Sequence, residues 1–151
     1  MRPEAMSKLA EPPTIRFALP SEHEELEDLQ RRASLALPEY RAVLEAHPDA
    51  IELPAEQIDS GDVLVAESER RIAGFAALVG GELDGVFVEP AQWRRGIGSA
   101  LVERAAHEAR KQGLSLTVTA APEVRQFYES CGFSLEGETQ TRFGPALRMS
   151  R

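Results

Sequence analysis

The chain lacks most of the features that reveal a function quickly. It has one cysteine, Cys131, so no internal disulfide can form and no Cys/His zinc spacing exists. No metal is expected, because no ligand set suggests one. Basic residues are outnumbered, with 17 Lys and Arg against 25 Asp and Glu for a formal charge of −8. That balance excludes a nucleic-acid surface, since phosphate recognition needs clustered cations. It suits solubility, or a small cationic or amine-bearing partner. No apolar run approaches the roughly 20 residues of a membrane span. The opening MRPEAMSKLAEPP has no apolar signal-peptide core. Residues 1–13 are expected to form a flexible leader and the setting to be cytoplasmic, with no membrane partner.

What is present suffices for one compact domain over residues 14–151: hydrophobic residues make up 42% of the sequence. TIRFALP alternates Ile15, Phe17 and Leu19 against polar or small residues and predicts a strand stopped by Pro20. Ser21 with Glu24 has capping-box spacing, and Leu26, Leu29, Ala33 and Leu37 form one helical face ending before Pro38. A shorter helix is expected over 39–46, then a loop or helical turn over 49–61. DVLVAES and RIAGFAALVG read as a hairpin, and ELDGVFV follows Gly80-Gly81 as a third strand. LSLTVTA is β-branched, and PEVRQFYESCGF reads as a short helix. FSLEGE and ALRMS suit two last strands around a turn near Gly144-Pro145. The fold class is α/β (α+β), with order β α α β β β α β α β β. A meander leading into a β-helix-β crossover implies a mixed, mostly antiparallel sheet flanked by helices.

The most informative stretch is VFVEPAQWRRGIGSALVERAAHEARKQG. A strand runs into a basic glycine turn, and Ile97, Leu101, Ala105 and Ala109 then recur every four residues as the face of a helix that Gly113 stops. A helix N-terminus leaves backbone N–H groups unpartnered and carries roughly half a positive charge. Gly96 and Gly98 permit close backbone approach, and Arg94 and Arg95 add charge, so the turn reads as a pyrophosphate cradle. It is neither a P-loop, for no G-K-[ST] follows, nor a Rossmann fingerprint, whose third glycine is replaced by Leu101.

Three segments together resemble the GNAT superfamily of acyl-CoA-dependent N-acyltransferases. ELDGVFVEPAQWRRGIGSALVERA is similar to that family's fourth strand, pyrophosphate loop and third helix. FYESCGF is similar to its F/L-Y-x-x-x-G-F segment, and TIRFALPSEHEEL to its opening. The element order agrees over nearly all of residues 14–149. Two positions depart: Trp93 stands where the loop's leading Gln or Arg is usual, and Ala121 or Glu123 where an Asn often precedes the tyrosine helix.

The resemblance implies acetyl-CoA as co-substrate, direct transfer of its acetyl group to an amine in a ternary complex, and no covalent nucleophile. It assigns Phe87 and Val88 to the pantetheine arm and Arg94, Arg95, Gly96, Ile97, Gly98 and Ser99 to the pyrophosphate. Because amines are mostly protonated near neutral pH, a base is needed. The resemblance puts a carboxylate at the start of the fourth strand, which is Glu82 here, with Asp84 as the alternative. Tyr128 matches the family's general acid, and the bland reading is a core ring beside Phe127 and Phe133. Cys131 reads as a small buried residue, and His23, His47 and His107 as surface residues. The acceptor, a small-molecule or peptide amine, is expected against residues 35–58 and the tail around Phe143, with Glu39, Tyr40 and Glu52 as candidate lining. The family is also compatible with a homodimer. Two other functions remain open: a non-catalytic acyl-CoA-binding sensor of the same fold, and a plain nucleotide or phosphate binder.

Overall fold

In the computed structural model, which describes residues 12–151, the period-2 segments form seven strands. These are β1 (Thr14–Phe17), β2 (Val63–Ser68), β3 (Arg71–Val79), β4 (Glu82–Val88), β5 (Thr117–Ala120), β6 (Ser134–Thr141) and β7 (Gly144–Ser150). The period-3.6 segments form α1 (His23–Leu35), α2 (Pro38–Ala46), α3 (Ala55–Asp59), α4 (Ile97–Lys111) and α5 (Arg125–Ser130). Most of the expected leader, residues 1–11, lies outside the described residues.

One sheet runs in the order β1-β2-β3-β4-β5-β7-β6. Every neighbouring pair is antiparallel except β4 and β5, whose connection passes through α4. The protein is thus a single mixed α/β domain. Helix α4 buries Ile97, Leu101, Val102, Ala105, Ala106 and Ala109 on one sheet face, against Leu64, Ala76, Leu83 and Val118. Helix α1 buries Leu26, Leu29 and Ala33 on the other face, against Val63, Val65 and Phe75. Truncating a fully buried residue such as Leu101 to Ala costs about 2–5 kcal/mol, so these two faces hold the layers together. Among the described residues no helix is long and apolar enough to cross a membrane.

Three local details differ from the sequence expectation. Ser21 makes no cap: Pro20 starts a 3-10 turn, and Glu22, held by Arg16 at 2.7 Å, takes the Leu19 N–H instead. Residues 49–61 contain the expected helical turn, α3, which is anchored by buried Ile58. Strand β5 begins only at Thr117, leaving Leu114 exposed. The β6–β7 turn falls at Arg142 and Phe143, where Thr141 Oγ1 bonds the Gly144 carbonyl and the Phe143 N–H, so Gly144-Pro145 opens β7.

Candidate active site

The site begins where two parallel strands part. β4 and β5 pair only at Glu82↔Thr117 and Leu83↔Val118 and then diverge. A bulge lies at that point: against β3, the register passes from Leu83 to Gly85 and leaves Asp84 as the extra residue. A bulge bends its strand and reverses side-chain parity. Leu83, Val86 and Val88 therefore share the α4 face, while Phe87 packs with the α1 cluster. Glu89 N donates to Ala73 O, so by antiparallel alternation the polar backbone groups of Phe87 also turn to β3. Those of Val86 and Val88 point into the gap, where β5 has withdrawn.

This gap is the floor of a cleft of about 530 Å³, lined by β4, the loop before α4, α1, α2 and α5. At one end stands the N-terminus of α4. Its N-cap is Gly96 at φ +83°, a left-handed conformation that favours glycine, and no side chain caps it. The N–H groups of Ile97, Gly98 and Ser99 thus have no intrahelical partner and lie on the cleft wall. Gly98 has a different reason to be glycine: a Cβ there would come within 2.9 Å of the Phe127 ring. Arg94 lines the cleft, whereas Arg95 does not and points one guanidinium nitrogen at Gln92 Oε1, 3.3 Å away. Arg94 is held at φ +67°, outside the ordinary range of a non-glycine residue.

Trp93, which the sequence left without a role, donates its indole N–H to the Val88 carbonyl at 2.8 Å and lines the cleft. It pins the basic loop to the end of β4. Arg32 of α1 reinforces the same corner with two hydrogen bonds, 2.7 and 2.9 Å, to the Glu89 carboxylate. No sequence signal marks either contact, because both join residues through the fold.

Tyr128, on α5 beside the first turn of α4, also lines the cleft. Only 6% exposed, it makes edge contacts with Phe127 and Phe133 at centroid distances of 5.0 and 5.4 Å. Burial pushes its phenol well above the usual tyrosine range, with Tyr40 and Cys131 adding in the same direction. The hydroxyl therefore stays protonated at neutral pH. Both candidate carboxylates are exposed; Asp84 lines the cleft and Glu82 does not, and Glu82 accepts a 3.4 Å hydrogen bond from Thr119. Ser99 lies on the wall with its hydroxyl 3.7 Å from the Cys131 sulfur. Cys131 itself is buried beside α5. His23 is half-buried and bonded to the Leu53 carbonyl, while His47 and His107 are exposed. Among the described residues no group of three or more His, Cys, Asp or Glu is placed to hold a metal ion.

A second cavity of about 490 Å³ opens on the other side of the split and shares Ser34, Tyr40, Asp84, Phe87, Thr119 and Ala121 with the first. Its remaining wall comes from α1, α2, residues 50–51, residues 122–123 and the β6–β7 hairpin. Tyr40 is part of it; Glu52 is exposed and outside it, and the Glu39 side chain lies outside what the structure describes. The two cavities thus meet along Asp84 and Phe87.

The site thus combines a split mixed sheet, a helix N-terminus without a side-chain cap and a buried tyrosine in one cleft wall. Residues 59–135, half of the chain, match the family model described as the acetyltransferase (GNAT) domain, and the protein belongs to that family. No curated protein matches the sequence. Among solved structures, a GCN5-related N-acetyltransferase from Rhodopseudomonas palustris superposes with TM-score 0.77 at 20% identity, over 93% of this chain and 96% of that one. Apo YjaB from Escherichia coli gives 0.69 at 27% identity, over 91% and 96%. The PaiA N-acetyltransferase of Thermoplasma acidophilum, solved in complex with coenzyme A, gives 0.70 at 19% identity, over 92% and 98%.

Proposed function

We propose that the protein transfers an acetyl group from acetyl-CoA to a primary amine held in the second cavity. The observation that carries this is the parting of β4 and β5 after Leu83 and Val118, which joins two cavities at Asp84 with Tyr128 on the wall. The N–H groups of Ile97, Gly98 and Ser99, aided by Arg94, suit the pyrophosphate of the co-substrate. The freed backbone of Val86 and the Val88 N–H, the Val88 carbonyl being taken by Trp93, suit its amide-bearing arm, which would add to β4 as a short strand does. Phe87 enters the site through its ring and not through its backbone. The Glu82 position at the start of β4 is then a flank of the site, and Asp84 is the carboxylate placed to take the amine's proton, directly or through water.

In the transfer the amine lone pair forms a C–N bond at the thioester carbon, and the C–S bond breaks. A backbone N–H on the freed edge of β4 stabilises the carbonyl oxygen as it gains charge. The departing sulfur takes a proton from the Tyr128 hydroxyl, and the proton that the nitrogen loses on becoming an amide passes through water to restore that hydroxyl. A buried phenol is a reluctant acid, but the same low dielectric also disfavours a bare thiolate, which brings the two proton affinities together. No residue needs to become acetylated. Thiol release from acetyl-CoA with an amine panel tests the proposal. Amine-dependent release that falls about a hundredfold in Tyr128→Phe supports it. Coenzyme A binding without release for any amine would show the non-catalytic sensor instead.

A further inference from the structure

The second cavity has a one-sided chemistry. Val43, Leu44, Ile51, Phe87 and Phe143 supply much of its wall, and Asp84 and Glu123 are the only charged side chains lining it among the described residues. No Lys or Arg does so. The nearest arginines are engaged or set apart: Arg142 pairs with Asp49 at 3.1 Å and lies 4.5 Å over the Phe143 ring, and Arg41 donates to the Leu35 carbonyl. Arg148 stands beside Thr119 in the β5–β7 register but outside the lining.

The cavity also has a roof. The tip of the β6–β7 hairpin reaches the segment after α2 through the Arg142–Asp49 ion pair and an edge contact between His47 and Phe143, whose ring centroids are 5.5 Å apart. The volume of this half-open cavity, about 490 Å³, is of the size that holds one small molecule.

From these observations, and resting on the acetyl-transfer reading above, we infer that the acceptor is a small primary monoamine with an apolar or aromatic body and no carboxylate. Its ammonium end meets Asp84 and Glu123, and its body lies against Leu44, Ile51 and Phe143. A free amino acid of the same shape brings a carboxylate beside two exposed acids, Asp84 and Glu123, with no cation on the lining to receive it, and like charges placed together disfavour that ligand. A polyamine must desolvate further ammonium groups against Val43, Leu44 and Ile51.

The test compares 2-phenylethylamine, phenylalanine, spermidine and a short peptide amide with an apolar first residue. Transfer is read by thiol release, and binding by calorimetry on protein saturated with coenzyme A. The inference predicts that 2-phenylethylamine exceeds each of the others at least about thirtyfold in kcat/KM, and in affinity. It also predicts that Gln30→Lys, which places a cation on the wall, narrows the preference over phenylalanine about tenfold. Equal or better use of phenylalanine, spermidine or the peptide overturns it, as does failure of all four to bind. Binding in the predicted order without thiol release supports the acceptor class while refuting the transfer reading.

Discussion

The two halves of the site are built by different means. The half assigned to the co-substrate is made largely of backbone: the freed edge of β4, a left-handed glycine and a bare helix N-terminus, all within residues 82–99. The half assigned to the acceptor is made of side chains from separate parts of the chain, including Gln30, Tyr40, Ile51, Glu123 and Phe143. Backbone recognition depends on conformations that only certain residues permit, so it leaves a contiguous motif. Side-chain recognition depends on tertiary assembly, and its residues can change without disturbing the fold.

Substitutions should separate the halves, beginning at their junction. Tyr128→Phe keeps the ring packing against Phe127 and Phe133 and removes only the proton donor. Its kcat should fall about a hundredfold with both KM values nearly unchanged. Gly98→Val forces the Phe127 ring to move and crowds the first turn of α4. It should raise the acetyl-CoA KM about tenfold or more, corresponding to about 1.4 kcal/mol, and leave the amine KM alone.

Burial of Tyr128 also predicts an alkaline limit on stability. Its folded pKa lies above the unfolded value of about 10, so above that pH the unfolded chain releases a proton that the folded one retains. Stability should therefore be insensitive to this group below about pH 10 and decline above it, by at most about 1.4 kcal/mol per pH unit. Denaturant titrations of the wild type and Tyr128→Phe would isolate the contribution, which the variant should lack. Trp93→Phe retains an aromatic wall but loses the bond to Val88, and should raise the acetyl-CoA KM about fivefold, the scale of one net hydrogen bond. Arg142→Ala opens the exposed bridge to Asp49. It should raise the amine KM about twofold, leave the acetyl-CoA KM unchanged and barely move the melting temperature.

The order of elements was legible in periodicity because each amphipathic segment carries its own pattern: Ile97, Leu101, Ala105 and Ala109 alone identify the face of α4. The parting of the sheet was not, since it needs the bulge at Asp84, at which only Gly85 and the broken alternation from Leu83 to Val86 hint within ELDGVFV. That same bulge separates Asp84 from Glu82, two carboxylates that simple alternation places on one face as equivalents. The two glycines of the turn looked alike in sequence; one serves a positive φ and the other makes room for a ring. Trp93 was unreadable for a similar reason, because its partner is a backbone carbonyl that bears no mark in the sequence.

If acetyl-CoA and the amine occupy adjoining cavities and react directly across Asp84 and Tyr128, both must be bound before the C–S bond breaks. Initial rates of thiol release, measured while acetyl-CoA and 2-phenylethylamine are varied together, report this directly. Double-reciprocal lines that intersect are the predicted result. Parallel lines, the mark of an acetylated enzyme formed before the amine binds, would contradict direct transfer and the two-cavity account with it.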